Sequence, residues 1–219
     1  MNGLTEVRGM IIKVMQAGEY DRRITLLTKE RGKISVWARG ARRQNSPLMG
    51  ITAVFATGTF MLFEGRDSYS LQSARIDNYF SELQSDVEKA CYGTYFMELA
   101  DYYAREFMSE PQMLELLYTS LLALGRPSIP DRLVRRVYEL RLMVTGGEYE
   151  EEPAEGSSDG LRYTWKHIIT SPISRLYTFV LSDEVMVELE ANVDRLLDRF
   201  IDRHMNSLEI LEMLTGDNT

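Results

Sequence analysis

The sequence predicts an α+β chain: a small β-barrel over residues 1–79 followed by an α-helical domain over 80–219. Three observations predict it. Apolar residues alternate at period two early in the chain, with the cleanest run from Ile24 to Arg39. Five short strand-like runs, separated by turns, fit inside about eighty residues. Beyond Phe80 the apolar spacing becomes that of helices. A chain that is 44% hydrophobic and 26% charged has the composition of a folded protein, not a disordered one.

Val7 to Met15 is apolar and β-branched, the first strand. Gln16 to Asp21, with Gly18, turns the chain into a second strand at Ile24. Lys29-Glu30-Arg31-Gly32 forms the next turn, where Gly32 tolerates positive φ. From Lys33 to Arg39 the residues Ile34, Val36 and Ala38 take one side, and Lys33, Ser35, Trp37 and Arg39 the other. A basic loop with Arg42 and Arg43 runs on to Gly50. Ile51 to Phe63 reads as a fourth strand bent at Gly58, Glu64 to Asp67 as a hairpin turn, and Ser68 to Ile76 as the fifth strand. Five strands with a loop between the third and fourth favour an OB-type barrel.

In the second domain, Val87 to Met108 carries Phe96, Leu99, Tyr103 and Phe107 at helical spacing. Pro111 opens a helix ending at Leu124, with Gly125 at its cap. Another helix runs from Asp131 to Val144 and stops at Gly146-Gly147. An acidic, Gly/Ser/Pro-rich excursion then occupies about 147–164. Trp165–Thr170 and Ile173–Leu181 are apolar pieces of undecided type. Ser182-Asp183 caps a last long helix whose stripe includes Val185, Leu189, Leu196, Phe200 and Ile201.

The net charge of −8 argues against a polyanionic partner, but its distribution does not. Residues 1–80 hold twelve basic and seven acidic side chains, net +5, and the remainder is net −13. At physiological salt, charges more than about 8 Å apart are largely screened, so the local patch decides. No apolar run is long enough for a membrane span. The N-terminus lacks signal-peptide texture, and the lone Cys91 cannot make an internal disulfide, so a cytoplasmic protein is expected.

Two histidines, His167 and His204, and one cysteine cannot build a four-ligand zinc site of the Cys/His kind, and no hydrolase, P-loop or metalloprotease motif occurs. Glu150, Glu151 and Glu152 are conceivable magnesium ligands, but a run of carboxylates on a polar excursion is ordinarily solvated charge. Asp198 and Asp202, among Arg195, Arg199 and Arg203, read as surface pairs. His204 reads as a helix residue and Cys91 as core. No catalytic residue and no cofactor is expected.

The basic segment suits nucleic acid better. Lys33, Arg39, Arg42 and Arg43, with Arg22, Arg23 and Arg31 nearby, offer phosphate contacts, and Trp37 offers a stacking face. The plain alternatives are a solvated hairpin and a tryptophan that only packs. On the helix from Asp131, Arg132, Arg135, Arg136 and Arg141 stand beside an apolar face of Leu133, Val137, Leu140 and Val144. That cationic rim suits an acidic peptide with an apolar end; solubilising a bundle helix is the plain alternative.

The run LLTKERGKISVWARGARRQNSPLMG, the opening GMIIKVMQAGEYDRRITLLT, the helix RRVYELRLMVTGG and the closing LLDRFIDRHMNSLEILEML together resemble the RecO family of bacterial recombination mediators. The resemblance spans nearly the whole chain. It implies an N-terminal OB domain, a helical C-terminal domain, ATP-independent binding and annealing of single-stranded DNA, and single- and double-stranded DNA as partners. Loading of RecA onto strands coated by the single-strand-binding protein SSB is also implied, with RecR as partner and the acidic SSB C-terminal tail as docking peptide. Lys33, Arg39, Arg42 and Arg43 fall in the family's basic segment, and Arg136 and Arg141 in the helix near the tail site. Many members carry a four-cysteine zinc module after the Gly-Gly; here that stretch holds no cysteine.

The expected function is therefore a non-enzymatic DNA-binding mediator with no membrane association. The alternative from another class is an adaptor whose acidic helical domain binds basic proteins and whose barrel is only scaffold. A carboxylate-dependent metal enzyme using Glu150–Glu152 is the third reading.

Overall fold

In a computed structural model, which describes residues 3–66, 68–106, 108–109 and 111–216, the first strand β1 (Leu4–Ala17) is long enough to serve two partners. Leu4 to Met10 pairs with β4 (Thr57–Glu64) and Gly9 to Ala17 with β2 (Asp21–Thr28), the latter pairing shifting register between Ile11 and Lys13. β2 returns through β3 (Gly32–Ala38), and β4 pairs with β5 (Tyr69–Asn78). The order β1-β2-β3-β5-β4 closes through one short parallel contact, Val36 with Tyr69 and Trp37 with Ser70. This is the OB-type five-stranded barrel. Ile11, Ile24, Leu26, Ile34, Val36, Phe60 and Leu62 fill it, as the period-two pattern requires.

The fourth strand is shorter than the expected 51–63. It starts at Thr57, and residues 51–56 form turns. Burial made this stretch look like a strand: Phe55 and Ala56 are inside, and their backbones exchange hydrogen bonds with Ile11 at 3.0 Å, while Phe55 holds a left-handed φ of 71°. Gly58 does mark a register shift. A Cβ there would lie 2.1 Å from the Arg75 carbonyl oxygen.

Seven helices follow among the described residues: α1 (Ser81–Ser85), α2 (Val87–Tyr103), α3 (Pro111–Leu124), α4 (Asp131–Gly146), α5 (Asp159–Thr170), α6 (Asp183–Phe200) and α7 (Asn206–Thr215). The contacts divide the chain into two units, Met1–Ser81 with Ala100–Leu114, and Glu82–Leu99 with Glu115–Thr219. α2 stops at Tyr103, short of the expected Met108, because the next residues pair with the start of β3. Lys33 donates its backbone N–H to Arg105, and Gly32 and Lys33 bridge to Glu106. Phe107 and Asp67, read as helix and turn residues, lie outside the described residues.

Within the second unit, α4 is enclosed along most of its length, and Tyr138 stacks on Phe96 with ring centroids 4.3 Å apart. Gly147 at φ 81° ends it, with Glu148 N–H bonded back to Met143. The acidic excursion is shorter and less exposed than 147–164. From Asp159 the chain is helical, capped by Ser158, because Leu161, Trp165 and Ile168 supply a fully buried stripe. Trp165 Nε1 donates to the Glu150 carbonyl, and Ala154 N–H donates to Asn192. This stretch does not fit a four-cysteine zinc module, and hydrogen bonds hold it instead. The undecided piece 165–170 belongs to α5, and Ile173–Arg175 is one 3₁₀ turn. Ser182 caps α6 as expected. Cys91 is half-buried, not core.

Candidate nucleic-acid interface

The outward positions of β2 and β3 meet in register, so Arg23 lies opposite Trp37. The Arg23 guanidinium sits 5.8 Å from the indole centroid, and its Nε donates to Ser35 at 2.7 Å. Trp37 is half-buried and on the outer face, with Ile34, Val36 and Ala38 inside. Arg39 follows on the same parity, exposed and without a hydrogen-bond or ionic partner among the described residues. Arg43 lies 5.4 Å from the ring centroid of Tyr20, an exposed aromatic in the β1–β2 turn. Arg42 donates to the Gly18 and Glu19 carbonyls, and its N–H to Tyr20. None of Arg23, Arg39, Arg42 and Arg43 is paired with a carboxylate among the described residues, so their charge is available to a ligand.

The other expected cations of the barrel are engaged internally. Lys33 Nζ is 3.1 Å from Asp101 Oδ1 with its side chain only 20% exposed. Arg31 pairs with Glu64 at 3.1 Å and donates to Tyr69 Oη at 2.6 Å. The Glu64 bond raises the pKa of Arg31 against its desolvation. Arg22 shares the inward parity of Ile24 and Leu26, so at the barrel end it reaches the loop, donating to Met49 O and to Thr52 O and Oγ1. Arg31 and Arg22 tie the barrel together and Lys33 fastens it to Asp101 at the end of α2, uses that a count of basic residues does not reveal.

Between β3 and the β4–β5 hairpin lies a cleft of about 380 Å³. Trp37 and Tyr69 supply aromatic wall, Arg23 and Arg66 cations, and Glu64 and Glu106 carboxylates. Tyr20, Arg66 and Glu106 were not singled out by sequence reasoning. An aromatic and an arginine beside turn glycines were the signals available for the first two.

On α4 the expected rim is not a rim. Arg135 and Arg136 are 4% and 7% exposed because Glu139, one turn on and itself buried, draws both inward at 2.9 Å. Tyr95 Oη donates to Glu139 at 2.8 Å, and Asp194 takes both Nη atoms of Arg136 at 2.6 and 3.1 Å. Burial would push the Glu139 carboxyl up, but Arg136 and Arg135 hold it below the ordinary range. Arg141 donates to the Ile168 and Ile169 carbonyls near the end of α5, where a cation complements the helix dipole. Arg132, paired at 3.7 and 3.8 Å with Asp183 and Glu190, keeps the most solvent contact of the four, with its side chain 43% exposed.

Glu150 gives both oxygens to Arg195 and Arg199, and Glu152 pairs with Arg162, so two of the three imagined magnesium ligands serve ion pairs. Among the described residues no group of three or more His, Cys, Asp and Glu side chains is placed to hold a metal, and no helix is long and apolar enough to cross a membrane.

Residues 1–80 match the family model described as recombination protein O N terminal, and residues 84–151 match recombination protein O C terminal. Similar proteins include the DNA repair protein RecO of Acetivibrio thermocellus, 26% identical with 94% of this chain and 95% of the relative covered. That of Symbiobacterium thermophilum is 29% identical, with 96% and 98% covered. That of Listeria monocytogenes is 30% identical over 67% of this chain and 57% of the relative.

Proposed function

Because the chain belongs to the recombination protein O family of DNA-repair proteins, we propose that it is a recombination mediator that binds single-stranded DNA on the outer face of β2 and β3 and anneals complementary strands. The observation that carries this reading is the set of four arginines, Arg23, Arg39, Arg42 and Arg43, gathered around Trp37 and Tyr20 without carboxylate partners. Two strands repel through their phosphates. A cationic face that contacts both lowers that repulsion and raises the rate at which bases meet. The indole and phenol add sequence-tolerant stacking surface.

The same reading includes RecR and double-stranded DNA as further partners, the SSB C-terminal tail as a peptide for the helical unit, and RecA loading as the outcome. For the acidic tail, Arg132 is the α4 cation to test, since it is exposed in looser ion pairs whereas Arg135 and Arg136 are buried against Glu139.

The test is annealing of complementary oligonucleotides by the protein carrying Arg39→Glu with Arg43→Glu. Loss of annealing with unchanged thermal unfolding is expected; full retention would overturn the assigned surface. The adaptor reading, favoured by the −13 charge of residues 81–219, predicts no salt-dependent strand binding at all.

A further inference from the structure

We infer that the cleft beside Trp37 takes a single unpaired base and favours guanine, with the Glu64 carboxylate as its acceptor. This rests on the DNA-binding reading above and specifies what that surface reads.

A phosphate-binding surface has no use for carboxylates, yet Glu64 and Glu106 both line this cleft, a few residues from the cationic face. Glu64 keeps an acceptor oxygen open beside its Arg31 pair and Glu106 has no ion pair among the described residues, so the cleft presents acceptors where a phosphate would need donors, and the group they suit is one that donates. A base meets that condition. About 380 Å³ lies at the small end of ligand pockets and suits one nucleoside, not a length of chain. The wall offers an aromatic face at Trp37, which half-burial on the outer side leaves open to a stacking partner. Arg23 and Arg66 are placed for the flanking phosphates.

Glu64 is held in place for this task. Arg31 Nη1 and Tyr69 Oη both donate to its Oε1, at 3.1 and 3.4 Å, and no described residue donates to Oε2. An ionised carboxylate accepts and does not donate, so it selects for base edges that donate. Guanine alone presents two adjacent donors, N1–H and the 2-amino group, and the two open lone-pair sites of Glu64 Oε2 can accept both. Cytosine and adenine offer one exocyclic amine, and thymine one ring N–H. Those edges are free only in unpaired bases, so the cleft also separates single strands from duplex.

The experiment is an anisotropy titration with a thymidine oligonucleotide and with the same oligonucleotide carrying one central guanine or one hypoxanthine, which lacks the 2-amino group. Guanine should tighten binding about tenfold, as one bidentate base contact does, and hypoxanthine less. Glu64→Gln should abolish the guanine advantage while thymidine binding stays salt-dependent, whereas Trp37→Ala should weaken binding of all three oligonucleotides, because the indole stacks on any base. Glu106→Gln, which leaves the Glu64–Arg31 pair in place, should keep the guanine advantage, because Glu64 is the acceptor. Equal affinity for all three oligonucleotides, with salt-dependent binding intact, would overturn this inference and spare the DNA-binding reading. Absence of salt-dependent binding would overturn both.

Discussion

The Lys33 ammonium lies 3.1 Å from Asp101 Oδ1 and donates to the Asp101 backbone oxygen at 2.6 Å. A lysine inside a run of basic residues is thus part of the fastening between β3 and the chain around residue 101. Lys33→Gln should cost about 1.5–3 kcal/mol, the range for a hydrogen bond to a charged group. It should leave the slope of log affinity against log salt for single-stranded DNA as in the wild type. Urea unfolding and a salt titration read the two effects separately.

Arg39 and Arg43 should behave in the opposite way. Both are exposed and lack carboxylates among the described residues, so Arg39→Ala or Arg43→Ala should leave stability within about 0.5 kcal/mol of wild type. Each should flatten the salt dependence by about 0.7 if it neutralises one phosphate of a single strand. A slope unchanged in both variants would remove these residues from the interface.

These contrasts show how far the sequence was legible. Period two from Ile24 to Arg39 identified the inner and outer faces of β2 and β3, and so put Trp37 outside, because side-chain alternation is a local property of the strand. The partners of Lys33 and Arg31 lie 68 and 33 positions away, at Asp101 and Glu64, and no local pattern reveals them. Arg135 and Arg136 misled for a related reason. An arginine on a helix is ordinarily exposed, and only the buried Glu139 three and four residues on, together with Tyr95 and Asp194 from elsewhere, makes the interior habitable. The apolar run 51–56 failed differently, since burial and strand conformation have the same composition.

The Glu139 cluster predicts an acid-sensitive unit. Its carboxyl titrates below the ordinary range, so its folded value lies under its unfolded one. The stability it contributes is complete above an ordinary glutamate pKa of about 4.3 and is lost as pH falls through the folded value. Asp194, raised by burial, shifts the other way and opposes this in the same range. Glu139→Gln should cost about 3–5 kcal/mol at neutral pH, since it leaves two buried guanidinium groups short of a partner. It should also flatten the loss of stability on acidification. Denaturant titrations from neutral pH down to about 3, below the ordinary carboxylate range, check both.

Gly32 offers the sharpest test of how the chain near residue 105 is seated on the barrel. It turns at φ 59°, and a Cβ there would fall 2.0 Å from the Met108 carbonyl oxygen and 2.6 Å from that of Arg105. Gly18 has nearly the same φ, 60°, but nothing within 4 Å of the corresponding position. Alanine at either site carries the left-handed penalty of about 1–2 kcal/mol. Only at Gly32 must backbone also move, breaking the bridge to Glu106 and the Lys33 N–H bond to Arg105. Gly32→Ala should therefore destabilise by about 1–3 kcal/mol more than Gly18→Ala, the scale of an overpacked site. It should also open the chain at Arg105 and Glu106 to limited proteolysis, whereas Gly18→Ala should not. Equal unfolding midpoints and equal cleavage in the two variants would mean that this stretch does not rest on the β2–β3 turn.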